Sequence, residues 1–122
     1  VGRVIKVMPK TAVVLLISDR NNVGPGVIQR GRDEGLIEGA GGKQLRMKYV
    51  STLALVQVGD LVITSGLAGS FPKDMRIGTV VAIERMPDAI SEQLVLTPAA
   101  NLDRLEEVLV LFPLNQEAER SR

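Results

Sequence analysis

Gln44-Leu45-Arg46-Met47-Lys48-Tyr49 alternates polar with apolar residues at every step. A period of two belongs to a strand with one face in water, and it places Leu45, Met47 and Tyr49 together on the inward face. The stretch lies between Gly41-Gly42 and Gly59-Asp60, and similar breaks recur at Pro9, Gly24-Pro25-Gly26, Phe71-Pro72 and Met86-Pro87. Between them run short segments rich in Val, Ile and Leu, whose branched side chains suit a pleated surface. The candidate strands are 3–7, 12–17, 26–29, 35–38, 44–50, 61–64, 77–83, 93–97 and 107–112. Strands this short, broken this often, predict an all-β chain of small barrels with very little helix. Only 101–104 has a helical pattern, a single turn with Asn101 as N-cap.

The 122 residues are 45% apolar, enough for one compact domain or two very small ones. The core must be aliphatic, because Tyr49, Phe71 and Phe112 are the only aromatics. Segments 12–17 and 108–111 are apolar throughout, which predicts strands covered on both faces. A weak internal repeat aligns Gly2-Arg3-Val4-Ile5-Lys6-Val7 with Gly78-Thr79-Val80-Val81-Ala82-Ile83, each followed by an apolar strand. The expected organisation is a first β-barrel module over 1–58, a second over 59–113, and a disordered tail over 114–122.

Composition removes much chemistry. The chain has neither Cys nor His, so thiolate nucleophiles, imidazole bases, disulfides and the commonest zinc ligands are excluded. Thr64-Ser65-Gly66 follows Ile63 where an aspartic protease needs its acid. Ser70 with Lys73 reads as a turn, and 66–70 and 40–43 as hairpin loops without the strand, spacing and helix of a phosphate site. The adjacent acids Asp33-Glu34 and Glu106-Glu107 point to opposite faces of a strand and read as solvated charge. No catalytic residue, cofactor or metal is expected. A net charge of +1 with 2% aromatics lacks the basic footprint and stacking platforms of an RNA-binding barrel. No apolar run approaches the roughly 20 residues that cross a bilayer.

Gly59-Asp60-Leu61-Val62-Ile63-Thr64-Ser65-Gly66 reads as a turn feeding a buried strand: Gly59 suits positive φ, the Asp60 carboxylate accepts from nearby amides, and Ser65-Gly66 ends the strand. Followed by Phe71-Pro72, Ile77-Gly78-Thr79-Val80-Val81 and the terminal 98–111, it resembles the second β module of the MreC family of rod shape-determining proteins. Val14-Leu15-Leu16-Ile17-Ser18-Asp19-Arg20-Asn21, with 26–30 and 35–39, resembles the first. The resemblance runs from about Gly2 to Leu111, and the order of the motifs carries it. It implies two small β-barrels in tandem, in the bacterial periplasm, anchored to the inner membrane by an upstream segment; opening at Val1 without Met, the chain reads as a piece of that longer protein. It also implies a scaffold of the cell-wall elongation machinery that self-associates and contacts MreD, the actin-like MreB and penicillin-binding protein 2, with no nucleic-acid partner. A periplasmic adaptor barrel of a transport complex and an RNA-binding barrel are the alternatives.

Two further expectations come from individual residues. Phe71, beside Pro72 in a glycine-rich loop, either plugs the end of its own barrel or makes a contact at a partner or module interface. Residues 1–58 hold nine Lys or Arg against four acids, a charge of +5, and residues 59–122 hold six against ten, a charge of −4. If the halves are separate bodies, opposite charges steer head-to-tail assembly; the alternative is that they face each other within one chain.

Overall fold

The computed structural model describes residues 1–42, 44–66, 71–88 and 90–112, and no helix occurs among them. The tail expected over 114–122 lies outside the described residues. Eight strands follow one another: β1 (Gly2–Val7), β2 (Ala12–Leu16), β3 (Val23–Ile28), β4 (Glu34–Gly39), β5 (Leu45–Ser51), β6 (Leu61–Thr64), β7 (Arg76–Arg85) and β8 (Ser91–Pro98). The last six close into an antiparallel barrel in the order β3-β4-β5-β8-β7-β6, while β1 and β2 pair only with each other. The all-β expectation holds.

The division expected between residues 58 and 59 falls inside this barrel. β6 closes against β3 through Gly26↔Thr64, Val27↔Ile63 and Ile28↔Val62, and β5 pairs with β8. The physical reason is edge closure: β3–β5 or β6–β8 alone would leave two open edges, and joining the two sets removes them. The connection from β5 to β6 must then cross one end of the barrel. It does so with Ala54 and Val56 packed on the core, which is aliphatic throughout: Ile17, Ile28, Ile37, Leu45, Met47, Val50, Val62, Ile77, Val80, Leu94 and Leu96. Pro25 sits within β3, where sequence placed a break. It is tolerated because β6 pairs with β3 only from Gly26 onward, so this edge of β3 asks for no donor at Pro25.

The hairpins β1–β2 and β7–β8 share one geometry, as the internal repeat suggested. Gly2 pairs with Leu16, Val4 with Val14 and Lys6 with Val13, so Ile5 is an extra residue. Gly78 pairs with Pro98, Val80 with Leu96 and Ala82 with Val95, so Val81 is the extra residue at the same offset. Both glycines are required by close approach: a Cβ at Gly2 would run into the Leu15 carbonyl oxygen, and one at Gly78 into that of Thr97. The environments differ, however. β7–β8 is flanked by β6 and β5, whereas Val4, Ile5, Val7, Val13 and Val14 of the first hairpin are exposed. The two-sided cover expected for 12–17 is therefore absent among the described residues. The same holds for 108–111, where Val108 through Phe112 are exposed and no strand forms over 107–112.

Ile17–Asn22 links this hairpin to the barrel. Ile17 enters the core, Asn22 Nδ2 donates to the Ile17 carbonyl (3.0 Å), and the amides of Gly39 and Gly41 donate to Asn22 and Ser18 carbonyls. Residues 101–104 form a turn closed by Arg104 N to Asn101 O at 3.3 Å, with Asn101 Oδ1 accepting from Asp103 N. The Asn101 side chain closes a turn here, but no helix follows, so the N-cap expectation is not met.

Candidate interaction surface

The alternation of 44–49 survives only to Met47. On β8 two steps separate Leu94 from Glu92, but their partners on β5, Met47 and Val50, are three apart. The extra residue makes a bulge, Val50 takes the inward position, and Tyr49 turns out to solvent at 72% exposure. The correction to the inward Tyr49 is thus a change of phase within one strand. Tyr49 also adopts φ 62°, a left-handed conformation that a bulky residue rarely holds, at a cost of about 1–3 kcal/mol.

The tyrosine forms a shared wall between two shallow, open depressions. Pro25, Gly26, Glu34, Gly35, Leu36 and Ser65 line the first, and Lys48, Met86, Pro87, Asp88, Ser91 and Gln93 the second. Met86 and Pro87 are held there by Asp88, whose carboxylate accepts from the Ile90 and Ser91 amides and the Ser91 hydroxyl. Those amides, and then the hydroxyl, keep the Asp88 carboxyl below its ordinary pKa. Lys48 is tied to Glu38 at 2.7 Å.

A second exposed feature lies on the loop that crosses the barrel end. Because Ala54 and Val56 face the core, Leu53 and Leu55 face outward, at 89% and 82% exposure. Their backbone is fixed. Asp60 accepts from Arg30 Nε and Nη2, both at 3.0 Å, and from Gln57 N at 2.8 Å, while Arg30 Nη2 also donates to the Leu55 carbonyl. Gly59 has φ 99°, as its turn position required. The Arg30 hydrogen bond holds the Asp60 carboxyl below the usual carboxylate range against the opposing effect of desolvation, with the Gln57 amide assisting. Asp60 in turn raises the Arg30 pKa.

Phe71 is half-buried and Pro72 exposed, on the connection between β6 and β7. The Thr64 hydroxyl donates to the Pro72 carbonyl and accepts from Met75 N at 2.9 Å, fixing this loop to the end of β6. Neither residue is among those lining the depressions at Tyr49. Sequence reasoning missed Tyr49, Leu53 and Leu55 as surface features; the scarcity of aromatics was the one signal that singled out Tyr49.

No group of acidic, Cys or His side chains able to hold a metal occurs among the described residues. What the fold presents is a closed aliphatic barrel with an aromatic and two leucines held outward on fixed backbone, the form of a binding module. The family model for the rod shape-determining protein MreC, barrel core, matches residues 1–112, and the chain belongs to that family. It is 30% identical over 116 residues to the cell shape-determining protein MreC of Haemophilus influenzae, covering 94% of this chain and 33% of that protein. The crystal structure of MreC from Pseudomonas aeruginosa superposes with a TM-score of 0.79 at 31% identity, covering 84% of this chain and 67% of that one. MreC in a complex with penicillin-binding protein 2 from Helicobacter pylori superposes with a TM-score of 0.63 at 25% identity, covering 78% and 60%. The chain spans about a third of the length of the curated relatives it matches.

Proposed function

We propose that this chain is a non-catalytic scaffold module of the bacterial cell-wall elongation machinery, acting in the periplasm of a protein held at the inner membrane. The single observation carrying this reading is the family match over residues 1–112, on a chain whose strands β3 to β8 close into one barrel. By family resemblance its partners are penicillin-binding protein 2, MreD, MreB and further copies of itself. Support for the first comes from the complex formed by the Helicobacter pylori relative. Support for a role in contacts in general comes from the apolar side chains left outside the barrel: the β1–β2 hairpin, Leu53, Leu55, Tyr49 and residues 108–112. Phe71 and Pro72 belong to the proposed contact set as a fixed, partly exposed loop.

The test is replacement in a living cell. The matching region of Escherichia coli MreC is exchanged for this chain in a strain whose own copy is depleted. Rod shape should persist with the exchange and be lost without it. Cells that round up although the hybrid accumulates to normal levels would refute the reading.

A further inference from the structure

Tyr49 departs from what its own strand's alternation asks. Alternation would bury the ring beside Leu45 and Met47; an inserted residue turns it out instead, at φ 62° and 72% exposure. Strain of this kind persists where surrounding structure enforces it, and a bulge is a means of re-aiming one side chain. The ring stands between Leu36 and Pro25 on one side and Met86 and Pro87 on the other. An exposed aromatic on rigid backbone between apolar walls has the form of an interface hot spot, with little ordering left to occur on binding.

The charges around the ring define what fits. Lys48 is engaged by Glu38, and Asp88 is saturated by its own turn. The Glu34 carboxylate, exposed on the wall of the first depression, has no hydrogen-bond or ion-pair partner among the described residues. The surface therefore suits a protein segment that places apolar groups on both sides of the ring and a basic group opposite Glu34. We propose that Tyr49 is the anchor through which this barrel engages the soluble domain of a penicillin-binding protein 2 transpeptidase, with Glu34 selecting a cation on it. The identity of the partner rests on the scaffold reading above; the choice of surface does not.

Calorimetric titration of the chain with that domain tests both. Tyr49→Gly is the informative variant, because glycine takes positive φ without penalty and the lost ring was mostly in solvent. It should melt at or near the wild-type temperature while its Kd rises about thirtyfold, as for loss of a hot-spot side chain. Tyr49→Phe should retain binding. Glu34→Lys should weaken it, by a factor that shrinks as salt is added. If Tyr49→Gly binds like wild type, the surface is wrong and the scaffold reading stands. If it melts far below wild type, the ring is a structural part of the barrel and the proposal fails. No binding by the wild-type chain removes the transpeptidase partner itself. Soluble peptidoglycan fragments form the competing arm, read by tyrosine emission, which reports this site alone because the chain has one Tyr and no Trp. Saturable quenching there, without transpeptidase binding, assigns the ring to a sugar and overturns the proposal.

Discussion

Asp60 gathers three donors, two from Arg30 and one from Gln57, at the point where the crossing loop enters β6. Its folded pKa lies below its unfolded value. The stability it contributes is accordingly present above the ordinary Asp pKa and lost as pH falls through the depressed one. Asp60→Asn should melt below wild type at neutral pH, and the two curves should converge on acidification, as thermal melts across pH will show. Salt should narrow the gap, since Arg30 is about half exposed. Gly78 makes a different demand, because a methyl there meets the Thr97 backbone and has no flexible neighbour to displace. Gly78→Ala should cost about 1–3 kcal/mol by overpacking. Gly24→Ala, with nothing within 4 Å of the added carbon, should be neutral or stabilising by up to about 1 kcal/mol in denaturant titrations. At this scale the Gly59-Asp60 turn was legible, since its chemistry is contained in two adjacent residues. Tyr49 was not: the left-handed residue of a bulge is commonly a glycine, and here nothing local marks the insertion.

Among the elements, what separates the two hairpins is their neighbours. β7 and β8 have a strand on each outer edge and Val80, Leu94 and Leu96 fully buried, whereas β1 and β2 have only each other. A lone hairpin is marginal in water. Amides of β1 and β2 should therefore exchange with deuterium through local opening, orders of magnitude faster than those at the centre of β8, which await global unfolding. Equal protection in both would show that the first hairpin is stabilised by something outside its visible contacts. The hairpin pairing itself was legible because the repeat preserves spacing between glycine, bulge and partner strand. The strand expected over 107–112 shows the limit of such reading. Val108-Leu109-Val110-Leu111 has the composition of a buried strand, but composition does not supply the partner edge that makes one.

For the whole molecule the boundary near residue 58 was illegible because the pairings that close the barrel, β3 with β6 and β5 with β8, join strands far apart in sequence. Local periodicity carries no information about them. The same closure reinterprets the charge asymmetry. The basic and acidic halves of the chain contribute strands to one body, and Arg30 meets Asp60 across the division. The two halves are then not separate bodies that charge can align head to tail, and for the self-association proposed above the apolar surfaces to test are the exposed hairpin and residues 108–112. Sedimentation velocity should show concentration-dependent association that persists up to about 1 M salt, where the screening length is about 3 Å. Complexes that dissolve as salt rises, or a monomer at every concentration, would count against it. The matched geometry of β1–β2 and β7–β8 has a kinetic consequence as well. A refolding chain carries two hairpins of one register, and the first is expected to compete with β7–β8 for the edges of β5 and β6. The N-terminal hairpin emerges first during synthesis and has no strands of its own to occupy, so it competes for the seat that β7–β8 must take. In a crowded refolding mixture, strand exchange between neighbouring chains is therefore the expected way for this barrel to close incorrectly.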